Sequence, residues 1–356
     1  MVKPMTTPSF LRDHASLYAR DPRGAALAWF GQARFGLFLH YGLYSLLGGR
    51  WPTMKVTNKG SEWIQWTAPI PRREYAQLQQ RFTAEHFDAD TICRLALAAG
   101  MRYINLTTRH HDGFCLWDTD TTDFSSMHAP ARRDLVRELA EACRRHGLGC
   151  FLYISHGREW WHPDGPDTGL DQYGFNASKP DCPEDADWFH RGDAVQLDRY
   201  LDLIETQILE LCRYPDIAGI WLDGIGGFKS LPDGVRRSRC QALYDRIHAA
   251  SPHILVSYKQ GLTMSEDFFA PERNVTEPIA GKPYEICTTL QPHSWGCKQA
   301  DDGQHHDADW VMQQLSLAAA IPANLLLNSG PEGDGRIPDE DVRTLEEVGR
   351  RLRCDD

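Results

Sequence analysis

Groups able to do chemistry stand directly after short apolar runs in this sequence. His40 closes Phe35-Gly-Leu-Phe-Leu-His40, and His110 and His111 follow Arg102-Tyr-Ile-Asn-Leu-Thr-Thr108. Ser155 and His156 follow Cys150-Phe-Leu-Tyr-Ile154, Asp223 follows Ile217-Ala-Gly-Ile-Trp-Leu222, and Lys259 follows His253-Ile-Leu-Val-Ser257. An aspartate after a buried strand, with Gly224 behind it, can face a ligand; Asp-Gly is equally among the commonest turn dipeptides. The adjacent imidazoles of His110 and His111 invite a metal. Neighbouring side chains diverge, however, and no third ligand stands at a spacing such as HExxH. They suit sugar hydroxyls better, since an imidazole can donate from one nitrogen and accept at the other. A nucleophilic serine elbow GxSxG, an activated thiolate and a phosphate loop are all missing. What is left is carboxylates at or beyond strand ends among Trp, Tyr and His. Glycoside hydrolysis asks for that set, one carboxylate to attack and one carboxylic acid to protonate the leaving oxygen.

These groups must be positioned by alternating elements. After the first run, Asp88 to Ala99 repeats apolar residues at three- and four-residue spacing and stops at Gly100, as a helix does. A second helix is expected from about Asp134 to His146, ending at Gly147, and a third from about Val195 to Cys212. Further strands are expected at Ile286 to Leu290 and Asn324 to Leu327, and helices near 236–250, 307–319 and 339–352. Seven strands separated by helices imply a parallel sheet. An open doubly wound sheet lacks support because no GxGxxG follows the first strand. A barrel explains why every strand ends in a polar group, since all such ends open on one face. The fold class expected is therefore α/β, a (β/α)8-like TIM barrel over residues 28–356 with an N-terminal extension at 1–27. Two long connections, 41–87 and 156–194, carry Trp51, Glu62, Trp63, Trp66 and Glu159-Trp160-Trp161-His162 and read as site walls.

Composition narrows the class. The 356 residues are 42% hydrophobic and 24% charged, as in a soluble protein with a large core. A net charge of -11 argues against a nucleic-acid or anionic-membrane partner. Residues 1–20 have scattered charges and no continuous apolar stretch, which reads as neither signal peptide nor anchor. Ten cysteines without CxxC pairs, several inside periodic segments, favour free thiols and a reduced cytoplasmic protein.

Taken together, seven motifs in order resemble glycoside hydrolase family 29. Trp29-Phe30-Gly-Gln-Ala-Arg-Phe35-Gly-Leu-Phe-Leu-His40-Tyr-Gly42 is similar to the family's opening, with Tyr41 in place of Trp. Glu62-Trp63, Leu106-Thr-Thr-Arg-His-His-Asp-Gly-Phe114, Arg133-Asp-Leu-Val136 and Trp221-Leu-Asp-Gly224 follow. Glu285-Ile-Cys-Thr-Thr with Ser294-Trp-Gly296, and Asn324-Leu-Leu-Leu-Asn-Ser-Gly-Pro331, complete the set. The resemblance runs from about residue 28 to 352 and implies a catalytic domain without the C-terminal β-sandwich that relatives commonly carry. It implies Asp223 as nucleophile, with His40, Glu62, Trp63, His110, His111 and Tyr153 forming the sugar pocket beside Trp221, Lys259 and Trp295. The acid is expected in a segment like Phe268-Phe-Ala-Pro-Glu272, which selects Glu272; Glu266 is second and Glu277 third. Phe268, Phe269 and Trp295 are expected to give that acid an apolar surrounding.

The activity so implied is that of a retaining exo-α-L-fucosidase acting on fucosylated oligosaccharides or glycoconjugates by double displacement, with no cofactor and no metal. The two carboxyls should then lie about 5–5.5 Å apart. Fucose offers three hydroxyls and a methyl group, which His, Glu and Trp together can meet. Three rivals stand beside it: an α-L-galactosidase on the same barrel, a catalytically silent sugar-binding homologue and a metal hydrolase. A homo-oligomer is compatible with any of them.

Overall fold

The computed structural model describes residues 6–52, 60–68, 70–165, 194–224, 232–258, 265–272 and 281–355. Eight parallel strands close into a barrel in sequence order. They are β1 (Phe35–Leu39), β2 (Tyr103–Arg109), β3 (Gly149–Ser155), β4 (Ile217–Asp223), β5 (Leu255–Tyr258), β6 (Phe268–Phe269), β7 (Tyr284–Thr289) and β8 (Ala323–Ser329). β8 returns to pair with β1, Phe38 beside Asn328. The strands read as unbroken apolar runs because both faces are covered, one by the barrel interior and one by helices.

The outer helices carry their start signals. Asp88, Asp134 and Asp307 each accept a hydrogen bond from the backbone three residues on, opening the helices Ala89–Ala98, Leu135–His146 and Ala308–Ala320. Gly147, left-handed at φ 70°, closes the second of these. Among the described residues no helix is long and apolar enough to cross a membrane.

Seven of the eight strands match the expected runs within one or two residues at nearly every end. The eighth, β6, was not foreseen. It has two residues, pairing Phe268 with Ser257 and Phe269 with Tyr284, and so shows no period. Glu272 thus follows the sixth strand, not the fifth.

The expected boundary at 27/28 falls inside one helix, Pro22–Ala33. Its Phe30 lies 4.4 Å from Phe268 and 5.5 Å from Phe151, centroid to centroid, and Trp29 packs on Phe10. The N-terminal helices thereby seal the barrel below its first side-chain layer. Inside, alternate residues project in layers: Tyr103 and Phe151 low, Phe38 and Trp221 above them, then Tyr153. The polar layer lies at the strands' C-terminal ends.

Candidate active site

Asp223 is the last residue of β4 and is 4% exposed. β3 runs beside it with Tyr153 opposite Trp221 and Ser155 opposite Asp223. A donor on each oxygen holds its carboxylate. The Tyr153 hydroxyl donates to Oδ2 at 2.8 Å and the Gly224 backbone N–H donates to Oδ1 at 2.7 Å. Nε2 of His111 stands 3.8 Å from Oδ2. Gly224 can do this because its φ is +85°, a conformation that L side chains rarely adopt. A Cβ there would also sit 3.0 Å from the Arg158 backbone nitrogen.

The histidines are set by their second nitrogens. The Ser155 hydroxyl donates to the Arg158 carbonyl at 2.7 Å, so it accepts from Nδ1–H of His111 at 2.6 Å. Nε2 of His111 then carries the lone pair, and Nη1 of Arg158 donates to it at 3.4 Å. Likewise the Asn328 amide donates to Thr289 Oγ1 and to the Trp295 carbonyl, leaving its oxygen to accept from His40 Nδ1–H at 2.7 Å. His110 lies stacked on Tyr153 at 5.8 Å and 4.0 Å from the His111 ring. The turn after the two histidines is anchored by Asp112, which accepts from Tyr75 Oη and Phe114 N and is pushed up to about 6 by burial.

The long first loop and the loop after β7 meet over the mouth. Glu62 Oε2 accepts from Ser294 Oγ, Trp295 N and Gly296 N, each at 3.1 Å. Burial pushes its carboxyl above the ordinary range, and these donors oppose the shift. Trp63 meets His111 edge-on at 5.3 Å, and the Arg158 guanidinium lies over it at 4.7 Å. Trp295 is 5.1 Å from the His40 ring, and its indole N–H donates to Glu272 Oε1 at 2.9 Å. The His40 ring in turn is 5.8 Å from Tyr153, the donor to Asp223. Tyr153, His40 and Trp295 therefore link Asp223 to Glu272 across one polar layer.

Three expectations need correction and two fall outside the described residues. Trp221 does not line the mouth: it lies one layer beneath Asp223, stacked under Tyr153, with its indole N–H given to Glu285 at 3.0 Å. Strand alternation dictates this, since residues two apart share a face one step lower. Glu266 precedes β6, so it sits toward the sealed end, where Lys282 Nζ binds its Oε1 at 3.0 Å. Phe268 turns inward against Phe30 rather than toward Glu272. Lys259 and Glu277 lie outside the described residues.

Sequence reasoning gave no role to Arg158, Asn328 or Glu285. Asn328 and Glu285 stand inside quoted motifs, and that was their only signal; Arg158 had none.

Comparison with known proteins agrees with this fold. A family model described as Alpha-L-fucosidase matches residues 12–355. The tissue α-L-fucosidase of Bos taurus is 29% identical over 91% of this chain, which covers 67% of that protein. This chain spans about two thirds of the length of the curated animal relatives, 64% at the lowest. Among solved structures, α-L-fucosidase isoenzyme 1 from Paenibacillus thiaminolyticus is 32% identical with a TM-score of 0.76, covering 93% of this chain and 76% of that one. α-L-Fucosidase AlfC from Lactobacillus casei, in complex with its α-L-fucose product, is 29% identical with a TM-score of 0.79, covering 93% and 98%.

Proposed function

This chain belongs to the α-L-fucosidase family, and on that premise we propose that it releases terminal α-L-fucose from oligosaccharides or glycoconjugates with retention of configuration. The observation that carries the reading is the carboxylate of Asp223, held at the C-terminal end of β4 by Tyr153 and Gly224. Two donors restrict its rotation and leave it aimed, which is what a nucleophile attacking one carbon requires.

In the first step Asp223 attacks the anomeric carbon, and Glu272 gives its proton to the departing oxygen. In the second, Glu272 takes a proton from water, which displaces Asp223 and frees the sugar. The Trp295 indole supports Glu272 as acid/base by fixing one carboxyl oxygen. His40, His110, His111, Glu62 and Trp63 are proposed to meet the sugar's hydroxyls and methyl group. The nine described cysteines form no disulfide with one another and eight of them are buried, which supports the proposal of a reducing compartment.

The test is Asp223→Ala assayed on an aryl α-L-fucoside, with the aryl α-L-galactoside as comparator. Turnover should fall roughly 10³-fold or more with an unchanged melting curve. The wild-type enzyme should release the α-anomer first, as followed by proton NMR. Retained activity in the variant, or the β-anomer appearing first, would overturn the proposal.

A further inference from the structure

A second cluster of ionisable groups lies away from the polar layer just described, where the loop after β7 meets the C-terminal helix Asp339–Asp355. We infer that His305, Glu340 and Asp302 form a structural site for a divalent transition ion of the Zn2+ class, which ties that loop to the helix.

His305 is the reason. Its side chain is 2% exposed, and Nδ1 is bonded to Asp341 Oδ1 at 2.6 Å. Asp341 is itself fully buried, and its other oxygen accepts from Ser329 Oγ at the end of β8. A carboxylate that holds Nδ1–H in this way fixes the ring and turns Nε2 outward as a base, the arrangement that supports metal-bound imidazoles. Nε2 is buried and has no hydrogen-bond partner among the described residues. It faces Glu340 Oε1 at 3.4 Å, too far for a good hydrogen bond. That separation equals the edge of a tetrahedron about an ion with bonds of about 2.0–2.1 Å, roughly 3.3 Å.

Asp302 completes the set: one ligand atom from each of the three residues lies within 4.8 Å of the others. Asp302 is exposed, so its carboxylate can swing inward without disturbing packing. One imidazole and two carboxylates suit Zn2+ with water in the fourth position; Ca2+ would demand six or more oxygens. Glu340 is placed by the backbone as well, since Gly303 N–H donates to its Oε1 at 3.1 Å. The segment so tied also carries Ser294 and Trp295, the donors to Glu62 and Glu272. The role assigned is stabilisation of that loop, with no part in the bond chemistry.

Tag-free, chelator-treated protein is titrated with Co2+ and then Zn2+, with absorbance and thermal melting recorded. Wild type should bind one equivalent of Co2+, with visible d–d bands and no thiolate charge-transfer band, and Zn2+ should displace it and raise the melting temperature. Asp302→Asn, an exposed change that leaves the fold intact and replaces one carboxylate ligand by an amide, should weaken uptake at least ~10–100-fold, the loss that even a supporting group causes at such sites. His305→Gln should abolish uptake. If no saturable uptake occurs in wild type, His305 is an imidazolium between carboxylates and the inference falls. It falls equally if uptake persists undiminished in Asp302→Asn and His305→Gln, or if the spectrum shows thiolate ligation.

Discussion

At the scale of single residues, two glutamates close together in sequence meet opposite fates. Glu266 comes before β6 and is paired with Lys282, while Glu272 comes after it and is bonded to the Trp295 indole. Five intervening residues, two of them the strand β6, separate the sealed end of the barrel from its open one. The pair makes the acid assignment testable. Glu272→Gln should cut turnover ~10²–10⁴-fold for substrates with poor leaving groups and far less for dinitrophenyl fucoside, whose leaving oxygen needs no proton. Glu266→Gln should leave that ratio unchanged and lower the melting temperature instead, because Lys282 loses a buried partner. An equal leaving-group dependence in Glu272→Gln and wild type would remove Glu272 from the acid role.

At the scale of elements, the site depends on how each strand ends. β4 delivers Asp223 and then turns through Gly224, whose positive φ brings its N–H back to the carboxylate. Gly224→Ala forces a Cβ into a region costing about 1–2 kcal/mol and presses on the Arg158 backbone. Displacing the nucleophile even slightly costs rate as well as stability, so kcat should fall at least ~10-fold together with the melting temperature. A variant with normal kcat would show that this turn does not aim Asp223. The loop after β7 works similarly, since successive N–H groups of Trp295 and Gly296 converge on one oxygen of Glu62. Gly296 permits that approach: a Cβ there would stand 2.8 Å from Ser61 Oγ and from the Tyr44 ring.

At the scale of the whole molecule, the barrel interior contains a carboxyl that the chemistry does not use. Glu285 is fully buried on β7, accepting from Tyr103 Oη at 2.6 Å and Trp221 Nε1 at 3.0 Å. Burial pushes its carboxyl up to about 7 from an ordinary 4.5, against the pull of those two donors. Between these values the folded chain binds more protons than the unfolded one, so stability is complete at the acid end of the window and falls as pH rises toward 7. Full ionisation would cost on the order of 3 kcal/mol. Asp112, pushed up to about 6 by burial, acts in the same direction. Glu285→Gln, which keeps the neutral shape, should melt like wild type near pH 4.5 and above it near pH 8. Equal melting at both values would mean that Glu285 ionises freely where it sits.

The sequence alone determined the alternation of elements, the closed parallel barrel and the identity of most polar groups at its mouth. Periodicity and strand-end residues are local properties, and they survive in a string of letters. It could not show β6, because two residues carry no period, nor separate Glu266 from Glu272, because the end of the barrel each occupies depends on that strand. Trp221 was misplaced for a related reason: a motif gives neighbours along the chain, whereas layer height follows from strand register. Arg158, Asn328 and the Asp341–His305 pair became visible only when segments 33 to 288 positions apart were brought within hydrogen-bonding distance, Asn328 with Trp295 at the short end and with His40 at the long one. Contacts of that kind belong to the closed barrel, which alone decides which side chains share a layer.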